Sequence, residues 1–218
     1  MEQNHLPQAG RDAHDIVTAA LIVIGDEILS GRTRDRNIGY IAEYMTEIGI
    51  RLREVRVVGD VENEIVDAVN ALRATYDYVF TTGGIGPTHD DITSAAVAMA
   101  FGVPLVRDPG ALALLRGHYK PKDLNESRLR MADVPQGAEL IENPVSAAPG
   151  YRIENVIVFA GVPRIMQAMF EGYRGRLKGG RPVAGVTVSA YATEGVFAGR
   201  LAEIQAAHAD VEIGSYPF

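Results

Sequence analysis

The chain has no cysteine among its 218 residues. This excludes disulfide staples, thiolate nucleophiles and Cys-ligated metals together, and it suits a reducing, cytoplasmic compartment. Positive charge is scarce: 21 Lys and Arg stand against 28 Asp and Glu, a formal charge of −7. No stretch gathers basic residues with aromatics, so nucleic acid is not expected as a partner. Long hydrophobic runs are missing too; none approaches the roughly 20 apolar residues that span a bilayer, and no membrane partner is expected. The first fifteen residues carry His, Asp and Gln where a secretory segment would need apolar side chains, and they read as a flexible tail. Internal repeats and low-complexity tracts are absent. So are a Gly-x-Ser-x-Gly elbow, a Walker lysine loop and a His-Glu-x-x-His helix.

What is present is the composition of a globular protein, 47% apolar and 22% charged, long enough for one large core with a small appendage. Ile16 to Ile24 is apolar and β-branched over nearly its whole length, as in a strand covered on both faces of a parallel sheet. Ile38, Ile41, Met45 and Ile48 then recur at helical spacing before Gly49. Leu52 to Val58 reads as a second strand. Ile65, Ala68, Val69 and Leu72 share a helix face, and Tyr78 to Thr82 is a third strand. A helix is expected from about Asp91 to Phe101, ending at Gly102.

Strand and helix in alternation predict a wound α/β sheet with helices on both faces, over residues 16–178. Leu112 to Tyr119 and Leu124 to Ala132 look helical. Arg152 to Ala160 reads as a single strand or a short hairpin broken at Glu154-Asn155. Pro163 suits the first turn of a helix running to Leu177. The Met166, Met169, Phe170 and Tyr173 stripe reads as core packing. After the linker-like Lys178 to Pro182, residues 183–218 are expected to form a small α+β subdomain: strand 183–190, helix Glu194 to Ala207, strand from Val211. That part reads as incomplete, with the natural chain continuing beyond Phe218.

Chemistry is concentrated in Thr81-Thr82-Gly83-Gly84-Ile85-Gly86-Pro87-Thr88-His89-Asp90-Asp91, where a strand ends and a helix begins, the ligand-binding edge of open α/β sheets. Glycine admits close approach and positive φ, and amides at a helix start attract anions. Thr82 and Thr88 add hydroxyls. Asp90 and Asp91 beside a phosphate loop would repel the ligand unless a cation intervened, so they are candidate metal ligands and catalytic groups, with Asp26 a further metal candidate. Gly25, Asp26, Glu27 and Asn37 follow the first strand and Asp60 the second, and in a parallel sheet these loops should converge on the same edge. Asp26 and Asp35 read equally as caps or ligands, and Asp60 reads more simply as a helix cap. His89 reads as solvated, with acid–base work as the other reading. Asn125 and Arg128, one turn apart, could face a phosphate or only solvent.

These motifs resemble the molybdopterin-binding domain family, and more closely the N-terminal domain of the competence/damage-inducible CinA proteins. The resemblance covers most of the chain. It rests on Gly-Asp-Glu-Ile-Leu with Gly31 and Asn37, on Thr-Gly-Gly-Ile-Gly-Pro-Thr-His-Asp-Asp-Ile-Thr, on Asn143-Pro144 with Ala148-Pro149-Gly150, on Gly161-Val162-Pro163 and on the closing Ile-Gly-Ser-Tyr-Pro. It implies a three-layer α/β/α sandwich with a mostly parallel sheet, assembled as a homo-oligomer, dimer or trimer. It also implies divalent-metal-dependent (Mg, Mn or Co) hydrolysis of the pyrophosphate of ADP-ribose or a related dinucleotide such as FAD. Binding or adenylylation of molybdopterin, or non-catalytic holding of a pterin or nucleotide, are the alternatives. Gly-Gly-Ile-Gly-Pro-Thr departs from the Gly-Gly-Thr-Gly of the molybdenum-cofactor branch and tilts the expectation toward the CinA-like one. No amidohydrolase domain of the full CinA kind is present, so nicotinamide mononucleotide deamidation is not expected.

Overall fold

A computed structural model describes residues 16–182 and 184–216. The expected N-terminal tail lies outside them. The described residues fall into two compact units, one up to residue 182 and one from residue 184.

In the larger unit the chain begins with β1 (Val17–Ile24), a short helix α1 (Asp26–Leu29), α2 (Asn37–Glu47), β2 (Ile50–Val58), α3 (Glu62–Arg73), β3 (Tyr78–Thr82) and α4 (Thr93–Phe101). Next come β4 (Leu105–Arg107), α5 (Pro109–His118), α6 (Glu126–Leu129), β5 (Asp133–Pro135) and β6 (Glu139–Ile141). It closes with a hairpin of β7 (Gly150–Ile153) and β8 (Val156–Phe159), followed by α7 (Pro163–Tyr173). Arg130–Ala132 and Arg174–Arg176 are single 3-10 turns, which shorten two helices expected to run further.

Six strands form the main sheet in the order β2-β1-β3-β8-β7-β6. β1 runs parallel to both β2 and β3, and β3 is parallel to β8. The hairpin turns at Glu154, which adopts φ 49°, and makes β7 and then β6 antiparallel. The sheet is therefore mixed, its parallel part lying on the side that carries the loops of interest. β4 and β5 pair separately as a small antiparallel ribbon.

β1 shows why the first strand is apolar at every position. Ala20, Ile22 and Ile24 face one layer with Ile65 and Leu72 of α3 and Val97 of α4. Ala19, Leu21 and Val23 face the other, with Ile41 and Met45 of α2 and Met166 and Phe170 of α7. Each fully buried aliphatic or aromatic side chain contributes about 1.5–3 kcal/mol. The result is a three-layer α/β/α sandwich. The α7 stripe is core as expected, with Phe170 edge-on to Phe80 and Phe159. The α4 helix stops where Gly102 takes φ 65°.

In the smaller unit α8 (Glu194–Ala207) matches the expected helix. The two expected flanking strands do not form: residues 184–190 and 211–216 have no strand assignment, and Val183 lies outside the described residues. An α8 with no buried residue gives such strands no apolar face to pack on. No helix among the described residues is long and apolar enough to cross a membrane.

Candidate functional site

The chain runs from β1 out to β2 at one side and returns to β3 on the other, so the loops after β1 and β3 meet at a switch point. Gly83 sits there with φ 108°, and a Cβ on it would lie 2.2 Å from the Ile24 carbonyl oxygen. Gly84 follows with φ 68°, against the Thr93 hydroxyl. Side chains at either position would push the two loops apart.

Hydrogen bonds sort the loop amides. Gly83 N–H donates to the Phe159 carbonyl at 3.2 Å and Gly86 N–H to Asp91 Oδ1 at 2.7 Å. Neither is free for an anion, as the sequence suggested they would be. The amides of Gly84 and Ile85 have no acceptor among the described residues, and the Gly84 carbonyl accepts from the N–H of Thr93, the first residue of α4, at 3.0 Å. Asp91 acts as a clasp: its Oδ2 accepts from Thr88 N–H at 2.8 Å and from the Thr88 hydroxyl. Both of its oxygens are therefore engaged within the loop. Pro87 contributes its carbonyl, which accepts from Arg130 at 3.2 Å.

Asp90 is exposed, and the Thr88 hydroxyl, its own amide and His89 hold its carboxyl below the usual range. His89 is solvated; its Nδ1 lies 3.9 Å from Asp90 Oδ1 with the ring almost wholly exposed. The loops after β1 and β2 are stitched reciprocally, Asp26 N–H to Asp60 Oδ2 at 3.0 Å and Asp60 N–H to Asp26 Oδ1 at 3.3 Å. Asp60 does not cap α3, whose start has no side-chain cap. Burial raises the Asp60 carboxyl, and the charges of Asp26, Glu27 and Asp90 push the same way. The acidic groups of three loops thus share one field. No group of three or more His, Asp or Glu side chains among the described residues is arranged to hold a metal unaided.

Two cavities flank the glycine loop. The smaller lies on the α2/α7 side, with Glu27, Arg34, Arg36, Asn37, Thr82 and Gly161 among its walls. Asp35 caps α2, accepting from Asn37 N–H at 3.0 Å and Ile38 N–H at 2.7 Å. Asn37 donates through Nδ2 to the Gly161 carbonyl at 2.8 Å, while its Oδ1 and the Thr82 hydroxyl are buried without a partner. Unpaired buried polar atoms are rare and mark places where a ligand or water is expected. Pro163, in the first turn of α7, lines this cavity as well. The larger cavity, of about 240 Å³, lies on the α4 side. Gly25 keeps β1 and β2 together through its N–H to Val58, 3.1 Å.

Arg34, Arg36, Arg130 and Tyr151, which sequence reasoning missed, reach these cavities from three different segments of the chain. Alternating arginines at 32, 34 and 36 beside the Gly-Asp-Glu motif were the only available signal. Asn125 and Arg128 prove structural: Asn125 caps α6 at 3.0 Å, and the Arg128 guanidinium lies 4.5 Å from the Tyr119 ring centroid.

A family model described as "Probable molybdopterin binding domain" matches residues 20–178. The chain belongs to that family. Among relatives, the chain is 41% identical over 162 residues to a protein of Pyrobaculum calidifontis, covering 72% of this chain and 62% of the other. A protein of Archaeoglobus fulgidus is 35% identical over 198 residues, covering 90% and 84%. The crystal structure of the CinA protein of unknown function from Thermoplasma acidophilum superposes with a TM-score of 0.71 at 36% identity. That match spans 74% of this chain and 98% of the other. The chain spans about three fifths of the length of the first curated relatives it matches (62%, 59% and 60%).

Proposed function

We propose that this molybdopterin-binding domain holds a phosphorylated pterin or nucleotide at the rim between β1 and β3. One observation carries the reading: Thr82, whose hydroxyl is buried without a partner in the cavity it shares with the unpartnered Asn37 Oδ1, is followed within three residues by the acceptor-free amides of Gly84 and Ile85. Unbonded loop amides and a hydroxyl donor suit a phosphate, and an amide oxygen suits a ligand N–H or hydroxyl. Arg34 and Arg36 in the same wall add positive charge on a chain that is otherwise acidic. Each unpaired atom costs about 1–3 kcal/mol until a ligand satisfies it.

Adenylyl transfer to a bound pterin is the reaction that fits this arrangement first, since it needs two phosphorylated partners held at one rim. Metal-dependent pyrophosphate hydrolysis is the second reading, favoured by the shared field of Asp26, Glu27, Asp60 and Asp90. A divalent cation (Mg, Mn or Co) fits here as a ligand-borne ion, held by Asp90 and by phosphate oxygens rather than by a closed protein cage. When bound it would neutralise the charge between carboxylate and phosphate. Asp91, engaged with the loop, serves better to shape the cradle than to bind metal.

The test is to incubate purified protein with a molybdopterin-type pterin plus ATP, with ADP-ribose and with FAD, across those metals. Adenylylated pterin supports the first reading, AMP release the second, and saturable binding without turnover a holding role. No binding of any phosphorylated ligand rejects the proposal. Assembly as a dimer or trimer belongs to the same proposal, and light scattering reads it directly.

A further inference from the structure

On one side the main sheet ends at β2, whose outer edge pairs with no strand among the described residues. The strand is nine residues long and contains neither proline nor lysine. Edge strands are usually kept short, bulged or marked with such residues so that they do not pair with another chain. β2 has one bulge, at Arg53, because Leu52 lies opposite Ala19 and Glu54 opposite Ala20. From Glu54 to Val58 the register is regular.

Val58 sets the phase of that run. Its carbonyl accepts from Gly25 N–H at 3.1 Å, so its backbone groups turn inward to β1, and by alternation those of Val55 and Val57 turn outward. The side chains of Val55 and Val57 are each 37% exposed, and Leu29 continues their row, its Cδ1 3.7 Å from where a Cβ on Gly59 would lie. On the opposite face Glu54 and Arg56 pair at 2.6 Å, and the Tyr76 hydroxyl donates to Glu54 at 2.9 Å. Arg56 and Tyr76 together hold the Glu54 carboxyl below its usual range, so it is charged at neutral pH.

We propose that the outer edge of β2 is an interface for a second copy of this chain, joined by antiparallel β2–β2 pairing about a two-fold axis at Val55. Charge selects both the occupant and the register. An axis at Val55 sets Glu54 of each copy directly opposite Arg56 of the other, a non-hydrogen-bonded pair whose side chains approach closely, while the outward Val55 groups exchange both backbone bonds. An axis at Glu54 or at Arg56 would set like charges against each other, and an axis at Val57 would set Glu54 opposite Asp60. Antiparallel pairing also brings the basic start of each strand, Arg51 and Arg53, toward the acidic end of the other at Asp60. The exposed valine row then continues from one molecule into the next. A two-fold contact of this kind is self-complementary and closes on itself, so it selects a dimer from the assemblies proposed above, and it is independent of what the rim binds.

Sedimentation velocity of the full chain over a dilution series tests the interface. The wild type should dimerise reversibly. Val55→Pro removes an outward N–H that takes no part in the β1–β2 ladder, so it should weaken the dimer by about tenfold or more while dilute protein melts as wild type. Arg56→Glu places four carboxylates at the axis and should weaken it by a similar factor, and the double reversal Glu54→Arg with Arg56→Glu should restore the dimer to within about threefold of wild type. The reversal pair decides the matter if Val55→Pro proves unstable. A wild type that stays monomeric overturns this interface together with the assembly reading. A trimer, a dimer unaffected by Val55→Pro and Arg56→Glu, or a double reversal as weak as Arg56→Glu alone overturns the interface.

Discussion

Asp91→Asn probes the clasp that shapes the glycine loop. The carboxylate accepts from Gly86 N–H at 2.7 Å, from Thr88 N–H at 2.8 Å and from the Thr88 hydroxyl. Asparagine keeps one acceptor oxygen and presents an NH₂ to the remaining donors, so at least one amide loses its partner. Hydrogen bonds to charged groups are worth about 1.5–3 kcal/mol, but Asp91 is half-buried and water can replace part of the loss. A net cost of about 1–2 kcal/mol in loop closure corresponds to a roughly 5–30-fold smaller closed fraction. Affinity for a ligand that needs the closed loop falls by up to that factor. Titration with AMP measures the affinity, and hydrogen exchange at the Gly86 and Thr88 amides measures the opening. The two should fall together, with global Tm shifted little because the clasp lies outside the core clusters. Unchanged protection at both amides would refute the reasoning, whatever the affinity did.

Thr82→Val is close to isosteric and removes a hydroxyl that has no protein partner. Thermal melts should show stability equal to wild type or higher, while phosphate-bearing ligands bind about 5–10-fold more weakly, as for one lost hydrogen bond. Gly83→Ala places a Cβ 2.2 Å from the Ile24 carbonyl at φ 108°, so the two loops must separate. A loss of about 1–3 kcal/mol or more by denaturant titration is expected. Asp60 has a raised carboxyl pKa, so its ionisation works against folding above the carboxylate range, and this penalty disappears as pH falls through the folded-state value. Asp60→Asn should therefore melt higher than wild type at pH 7, with the difference closing by about pH 4.

The parallel half of the sheet was legible because each of its elements is long and carries its own period. β1 is apolar throughout because both of its faces are covered, and Ile65, Ala68, Val69 and Leu72 mark α3 as buried on one side. β4, β5 and β6 have three residues each, too short for any alternation to register, and they lie among prolines and glycines that read as loop. The flanking strands expected in the last 36 residues had the right composition but no buried face opposite them.

The glycine loop was found by residue type, yet its division of labour was not. That Asp91 closes the loop, that Asp60 is tied to Asp26 rather than capping α3, and that Gly83 and Gly86 are already bonded depend on partners up to 76 residues away, such as Phe159 for Gly83. Tyr151 was invisible for a related reason. Its position in a hairpin reads as ordinary core, and only the fold shows that it lines the larger cavity together with Ser94.

The most direct measurement is a crystal structure of the protein with AMP or a phosphorylated pterin bound. Phosphate oxygens are expected within hydrogen-bonding distance of the Gly84 and Ile85 amides and the Thr82 hydroxyl. A phosphate bound elsewhere, with those amides and the Thr82 hydroxyl still without partners, would contradict it.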